Sequence, residues 1–108
     1  MRTSALLPLV AVVSCASAYK AELETICNVT SLAGTHSMAV GSEERMKKEA
    51  EYLASHLKSG DVQRLFNRLA SVDPAQRGEA LRAEASRYGL SKCAFADSMN
   101  EEAKQQLK

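Results

Sequence analysis

Residues 42–69, SEERMKKEAEYLASHLKSGDVQRLFNRL, decide the fold class. Ser42 can accept a hydrogen bond from an otherwise unpaired amide, and Glu43 and Glu44 complement the positive end of a helix that starts there. Met46, Ala50, Leu53, Ala54 and Leu57 then recur on one face, and Lys58-Ser59-Gly60 stops the helix with a cation and a glycine. Asp61 reads as the cap of the next helix, whose apolar face is Val62, Leu65, Phe66 and Leu69. Only about two residues separate these helices, so they should be antiparallel neighbours. Glu43, Glu44, Glu49 and Glu51 read as helix-surface charges, with Glu44 and Lys48 placed to pair.

C-terminal to this pair, Asp73-Pro74-Ala75-Gln76 signals another start. Asp73 suits the cap, Pro74 suits the first helical position, and Gln76 can close a capping box. Ala80, Leu81, Ala85 and Tyr88 supply its apolar face. Gly89 can take the left-handed conformation that ends it, with Leu90 packing back on the last turn. Cys93 and Phe95 follow in a short turn or helix. Ser98-Met99-Asn100-Glu101 then reads as the cap of a polar terminal helix, with only Met99, Ala103 and Leu107 to bury, which should fray.

N-terminal to the pair, Tyr19, Leu23, Ile26 and Cys27 form one stripe on a short helix ending near Asn28. Periodicity is lost from Val29 to Gly41, which reads as a long loop, with His36, Met38 and Val40 as its candidate contact residues. The expected core is Leu23, Ile26, Met46, Leu53, Leu57, Leu65, Phe66, Leu69, Leu81, Tyr88, Leu90 and Phe95.

The first residues set the compartment. Arg2 precedes an apolar block, Ala5 to Val13, then small residues, Ser14 to Ala18, in the order of a secretory signal peptide and too short to span a bilayer. Cleavage after Ala18 discards Cys15. Alternatively Val12-Val13-Ser14-Cys15 resembles a bacterial lipoprotein signal (1–14), which would leave Cys15 acylated and the protein on a membrane. A third alternative is that the leader stays uncleaved as an anchor. In the first two cases the unmodified thiols are Cys27 and Cys93, whose default in an oxidising compartment is a disulfide. Asn28-Val29-Thr30 is an N-glycosylation acceptor if the source is a eukaryote.

Composition removes several function classes. The chain has 14 basic and 13 acidic residues, and the leader holds Arg2 and no acid. The mature chain is therefore neutral, with no basic block, which argues against nucleic acid and against anionic lipid surfaces. The absence of Trp argues against stacking platforms for single strands. Cys27, His36, His56 and Cys93 are zinc-ligand types but lack the close spacings of a zinc site. Ser37 beside His36 and Ser55 beside His56 are sequence neighbours, not dyads. No Gly-x-Ser-x-Gly, glycine-rich phosphate loop or Cys-x-x-Cys occurs. No metal, cofactor or catalytic residue is expected.

Leu65-Phe66, Leu69 to Pro74, Arg77 to Arg82, Gly89-Leu90, Cys93 and Ala96-Asp97, with Ile26-Cys27-Asn28, resemble small exported or lipoprotein-type two-cysteine proteins of Gram-negative bacteria. That resemblance implies export and a helical body, without an activity. A cysteine near each end of a helical secreted chain also resembles the secretoglobins. There the cysteines bridge two chains around an apolar cavity, so this resemblance implies a disulfide-linked dimer carrying a small apolar ligand. The long polar loop after Cys27 departs from that family.

The sequence thus predicts an all-α protein, a small four-helix bundle-like domain with one disulfide and a loosely packed C-terminal helix. Its organisation would be a leader (1–18), a helical domain (19–97) and a polar tail (98–108). The expected function is that of a non-enzymatic periplasmic or cell-envelope monomer that meets a protein partner.

Overall fold

A computed structural model describes residues 18–106. It is all-helical among the described residues, as the sequence patterning predicts, and Cys27 is bonded to Cys93. The leader up to residue 17, with Cys15, and Leu107 lie outside the described residues. Helix α1 (residues 18–27) leads into α2 (Val29–Ala33), α3 (Glu43–His56), α4 (Gly60–Ala70), a 3-10 turn (Pro74–Gln76), α5 (Arg77–Arg87) and α6 (Ala94–Gln106).

Local chemistry accounts for most of the boundaries. Ser42 Oγ accepts from the Arg45 amide at 3.3 Å, which starts α3. Ser59, not Asp61, caps α4: its Oγ accepts from the Val62 amide at 3.2 Å, while Asp61 sits in the first turn and pairs with Arg64. Asp73 Oδ1 accepts from the Ala75 amide at 3.0 Å, but it opens the 3-10 turn, and α5 proper begins at Arg77. At the far end of α4, Arg77 closes the open carbonyls. Its Nε donates to the carbonyls of Leu69 (2.9 Å) and Val72 (3.0 Å), and its Nη2 to that of Ala70 (3.1 Å). Gly89 ends α5 at φ +82°, and the Leu90 amide reaches back to the Ala85 carbonyl at 3.0 Å.

The segment expected to be a loop from Val29 to Gly41 is more ordered than its pattern suggests. It opens with α2, closed by Gly34 at φ +70° and a Thr35 amide bond to the Thr30 carbonyl at 3.0 Å. Five residues are too few to show a helical period. Ser98 is not a cap either, since α6 runs unbroken from Ala94 to Gln106 across the expected boundary.

The core is built from Leu23 and Ile26 of α1, Val29 of α2, Leu53 of α3, Val62, Leu65 and Leu69 of α4, Leu81 and Ala85 of α5, and Ala96 of α6, with the disulfide among them. Leu57, Phe66, Tyr88, Leu90 and Phe95 pack against it half-buried. Met46 departs from the expected core: it is 48 % exposed.

Helices α5 and α6 are in close contact at Gly78, where a Cβ would lie 2.6 Å from the Ala96 carbonyl oxygen and would also collide with Asn100. Neither helix has slack there, because the clash is with backbone. Gly78→Ala should therefore lower stability in urea unfolding by about 1–3 kcal/mol, although alanine is intrinsically the better helix former by about 1 kcal/mol. A stabilised variant would show that the two helices can part freely.

Candidate functional site

An apolar groove of about 680 Å3 lies between α3, α4 and α6. Its walls include Met46, Leu53 and Leu57 of α3, Phe66 of α4, and Phe95 and Met99 of α6. On α3 these belong to the stripe read from the sequence, and on α6 Phe95, Met99 and Ala103 fall at i, i+4 and i+8 on one face. The groove exists because α3 lies against α2 while its backbone stands off from α4 and α6. Ala50, Ala54 and Ala103, which also line it, are too short to fill the gap.

A buried polar cluster adjoins the groove. Arg45 and Glu49, one turn apart on α3, have side chains only 7 % exposed and pair at 3.3 Å. Glu49 Oε2 also accepts from the hydroxyls of Thr30 (2.8 Å) and Thr35 (2.6 Å). Arg45 donates through Nη1 to the Met38 carbonyl (3.0 Å) and through Nη2 to the hydroxyls of Thr30 (3.2 Å) and Ser98 (3.3 Å). The cluster thereby ties α2 and the following turns to α3 and α6. Glu49 is thus not the surface charge expected of it. Arg45, Glu49 and Leu53 fall at i, i+4 and i+8 on one face, but the same spacing holds for exposed charges and does not by itself mark the row as inward-facing.

A second cluster lies between α1, α4 and α5. The Tyr19 hydroxyl donates to Glu84 Oε2 at 2.6 Å, Arg68 pairs with the same oxygen at 3.2 Å, and Tyr19 and Tyr88 meet edge to face with centroids 4.9 Å apart. Burial first, and the Glu84 carboxylate beside it, push the Tyr19 phenol above its ordinary range. This cluster anchors the start of the described chain and closes on itself.

The residues singled out from the sequence do not converge. His36 is exposed, Met38 is half-buried with its carbonyl held by Arg45, and Val40 alone of the three lines the groove. Asn28 is exposed and donates through Nδ2 to the Glu24 carbonyl at 2.9 Å, whereas Thr30 of the same sequon is buried and bonded to Glu49. Cys27 and Cys93 are both buried. His56 is exposed at the end of α3, its ring stacked on Tyr52 at 3.9 Å. Its Nδ1 lies 3.0 Å from Ser55 Oγ but also 2.9 Å from the Tyr52 carbonyl oxygen. A carbonyl oxygen only accepts, so Nδ1 carries the proton and is no base for Ser55. Among the described residues no group of three or more His, Cys, Asp or Glu side chains is placed to hold a metal ion.

No family model, curated protein or solved structure matches this chain.

Proposed function

We propose that the protein is a small, exported, non-enzymatic helical protein that acts by binding, with the groove between α3, α4 and α6 as its contact surface. The observation that carries this reading is Met46. It belongs to an apolar stripe patterned for burial, yet it stands 48 % exposed on the wall of an open apolar groove. An apolar face left uncovered by its own fold marks a place of interaction. The order of charge, apolar block and small residues in 1–18 supports export, as does the resemblance to exported two-cysteine proteins. An intrachain disulfide is compatible with an oxidising compartment.

The rival reading, a disulfide-linked dimer, has less support. Cys27 and Cys93 are bonded to each other and buried, which leaves no thiol for a second chain among the described residues. Cys15 decides whether the protein diffuses or stays at a membrane. Intact-mass spectrometry of the native protein separates cleavage after Ala18 from acylation of Cys15, and a chain retaining all eighteen leader residues without modification would rule out both.

The groove itself is tested with a neutral solvatochromic dye such as Nile red. Met46→Lys should weaken dye binding about tenfold or more, since burying one such side chain is worth about 1.5–3 kcal/mol. The melting temperature should hardly move, because Met46 is already largely solvent-exposed. Equal dye affinity for the two proteins would remove the groove from this reading.

A further inference from the structure

We infer that the groove takes a single-chain amphiphile with a carboxylate head, its chain running among Met46, Leu53, Phe66, Phe95 and Met99 and its head at Arg77. This rests on the groove being the contact surface. Its volume of about 680 Å3 matches pockets that enclose one small molecule, roughly 300–1,000 Å3. A specific protein partner, the expectation from the sequence, needs a surface of roughly 800 Å2 on each side, more than one cleft supplies. Two thioethers beside two aromatic rings make an adaptable apolar lining, suited to a flexible chain more than to a rigid ring system.

The charges on the lining select the head group. Arg45 and Glu49 neutralise each other, and Glu102, beside Gly41, has no cation within ion-pair distance among the described residues. Arg77 is the unpaired cation of the same lining, and we place the head there. Arg77 lines the groove half-buried, and no carboxylate among the described residues lies within ion-pair distance of it. Its hydrogen bonds to the carbonyls of Leu69, Ala70 and Val72 set the guanidinium at the negative end of α4, which offsets part of its charge but gives it no carboxylate partner. A carboxylate arriving with an apolar chain supplies the missing partner, in a pairing stronger than neutral hydrogen bonds.

The test uses the full chain and competition against Nile red by decanoate, dodecanoate, tetradecanoate and dodecanol, each below its micellar concentration. Dodecanoate should bind once per chain, and affinity should rise roughly fourfold per methylene until the groove is filled. Dodecanoate should exceed dodecanol by roughly ten- to a hundredfold. Arg77→Gln should erase that preference, and Arg77→Lys should keep most of it. Because Arg77 also closes the end of α4, the readout is the dodecanoate-to-dodecanol ratio, taken on variants whose helical circular dichroism is intact. Should the Gln variant not fold, the wild-type ratio and the Lys variant decide. A ratio near one, or one that Arg77→Gln leaves unchanged, overturns the carboxylate assignment. If Met46→Lys weakens the dye while dodecanoate fails to compete, the ligand class is wrong and the groove survives as a contact surface. If neither perturbation registers, both fail. A dimer in sedimentation that Met46→Lys dissociates would give the groove to a second copy and overturn the proposal.

Discussion

Replacing Cys27 and Cys93 together by alanine should lower the stability of this chain by about 4 kcal/mol. The bond joins residues 66 apart in sequence, and closing a loop of that length removes about that much chain entropy from the unfolded state. It ties the end of α1 to the segment just before α6, so α2 to α5 lie inside the loop and α1 and α6 flank it. Both half-cystines are also core residues, 1 % and 2 % exposed, which adds a packing loss on removal. Small domains carry about 5 kcal/mol or little more in total, so the reduced protein should be close to half unfolded at moderate temperature. Thermal melts with and without a reductant check this, and a fall in melting temperature on the order of 20 °C is expected. A fall of only a few degrees would mean that the helices hold their arrangement without the link.

The second large effect is expected at Glu49. Glu49→Ala should cost about 3–5 kcal/mol, the usual penalty for stranding one partner of a buried ion pair. Arg45 would keep the Met38 carbonyl and the Ser98 hydroxyl, but its only carboxylate partner among the described residues would be gone. The hydroxyls of Thr30 and Thr35 would lose their common acceptor. Glu49→Gln keeps an acceptor oxygen and should cost less. Replacing both charges, Arg45→Met with Glu49→Leu, should recover much of the loss, because it removes the stranded charge as well. Urea unfolding of the two single variants and the double variant closes the cycle. If Glu49→Ala cost under about 1 kcal/mol, the cluster would have to be wetter than its 7 % side-chain exposure indicates. Hydrogen exchange in α2 should rise in the same variant, since Thr30 and Thr35 anchor that segment through Glu49.

Both effects were unequally legible in the chain. The cysteine pair was readable as a disulfide because, with the first residues read as a leader, two thiols in an oxidising compartment are expected to pair. Glu49 was not, because a glutamate between lysines and other glutamates resembles every exposed helical charge. Its inward position depends on Thr30 and Thr35, fourteen or more residues earlier, in a segment with no period of its own. The groove was half legible. The stripe Met46, Ala50, Leu53, Ala54, Leu57 announced an apolar face, and the natural expectation was that the fold would cover it. Only Leu53 of that stripe is buried, Leu57 is half-covered, and Met46, Ala50 and Ala54 face the open groove. The contact residues proposed from the loop were displaced for the same reason: Val40 reaches the groove, whereas His36 points to solvent.

The sequence by itself determined the helical class, the start of α3 and the helix ends at Gly89 and near Asn28, and it led to the cysteine pair once Cys15 was assigned to the leader. These rest on capping bonds and stripes acting within four or five residues, or on the default pairing of two remaining thiols. The tertiary structure alone decided that Gly78 is a point of backbone contact, that Arg45 and Glu49 face inward, and that α3 stands away from α4 and α6. Each depends on which surfaces meet across the chain, and short side chains such as Ala50, Ala54 and Ala103 look the same in sequence whether they close a gap or leave one open.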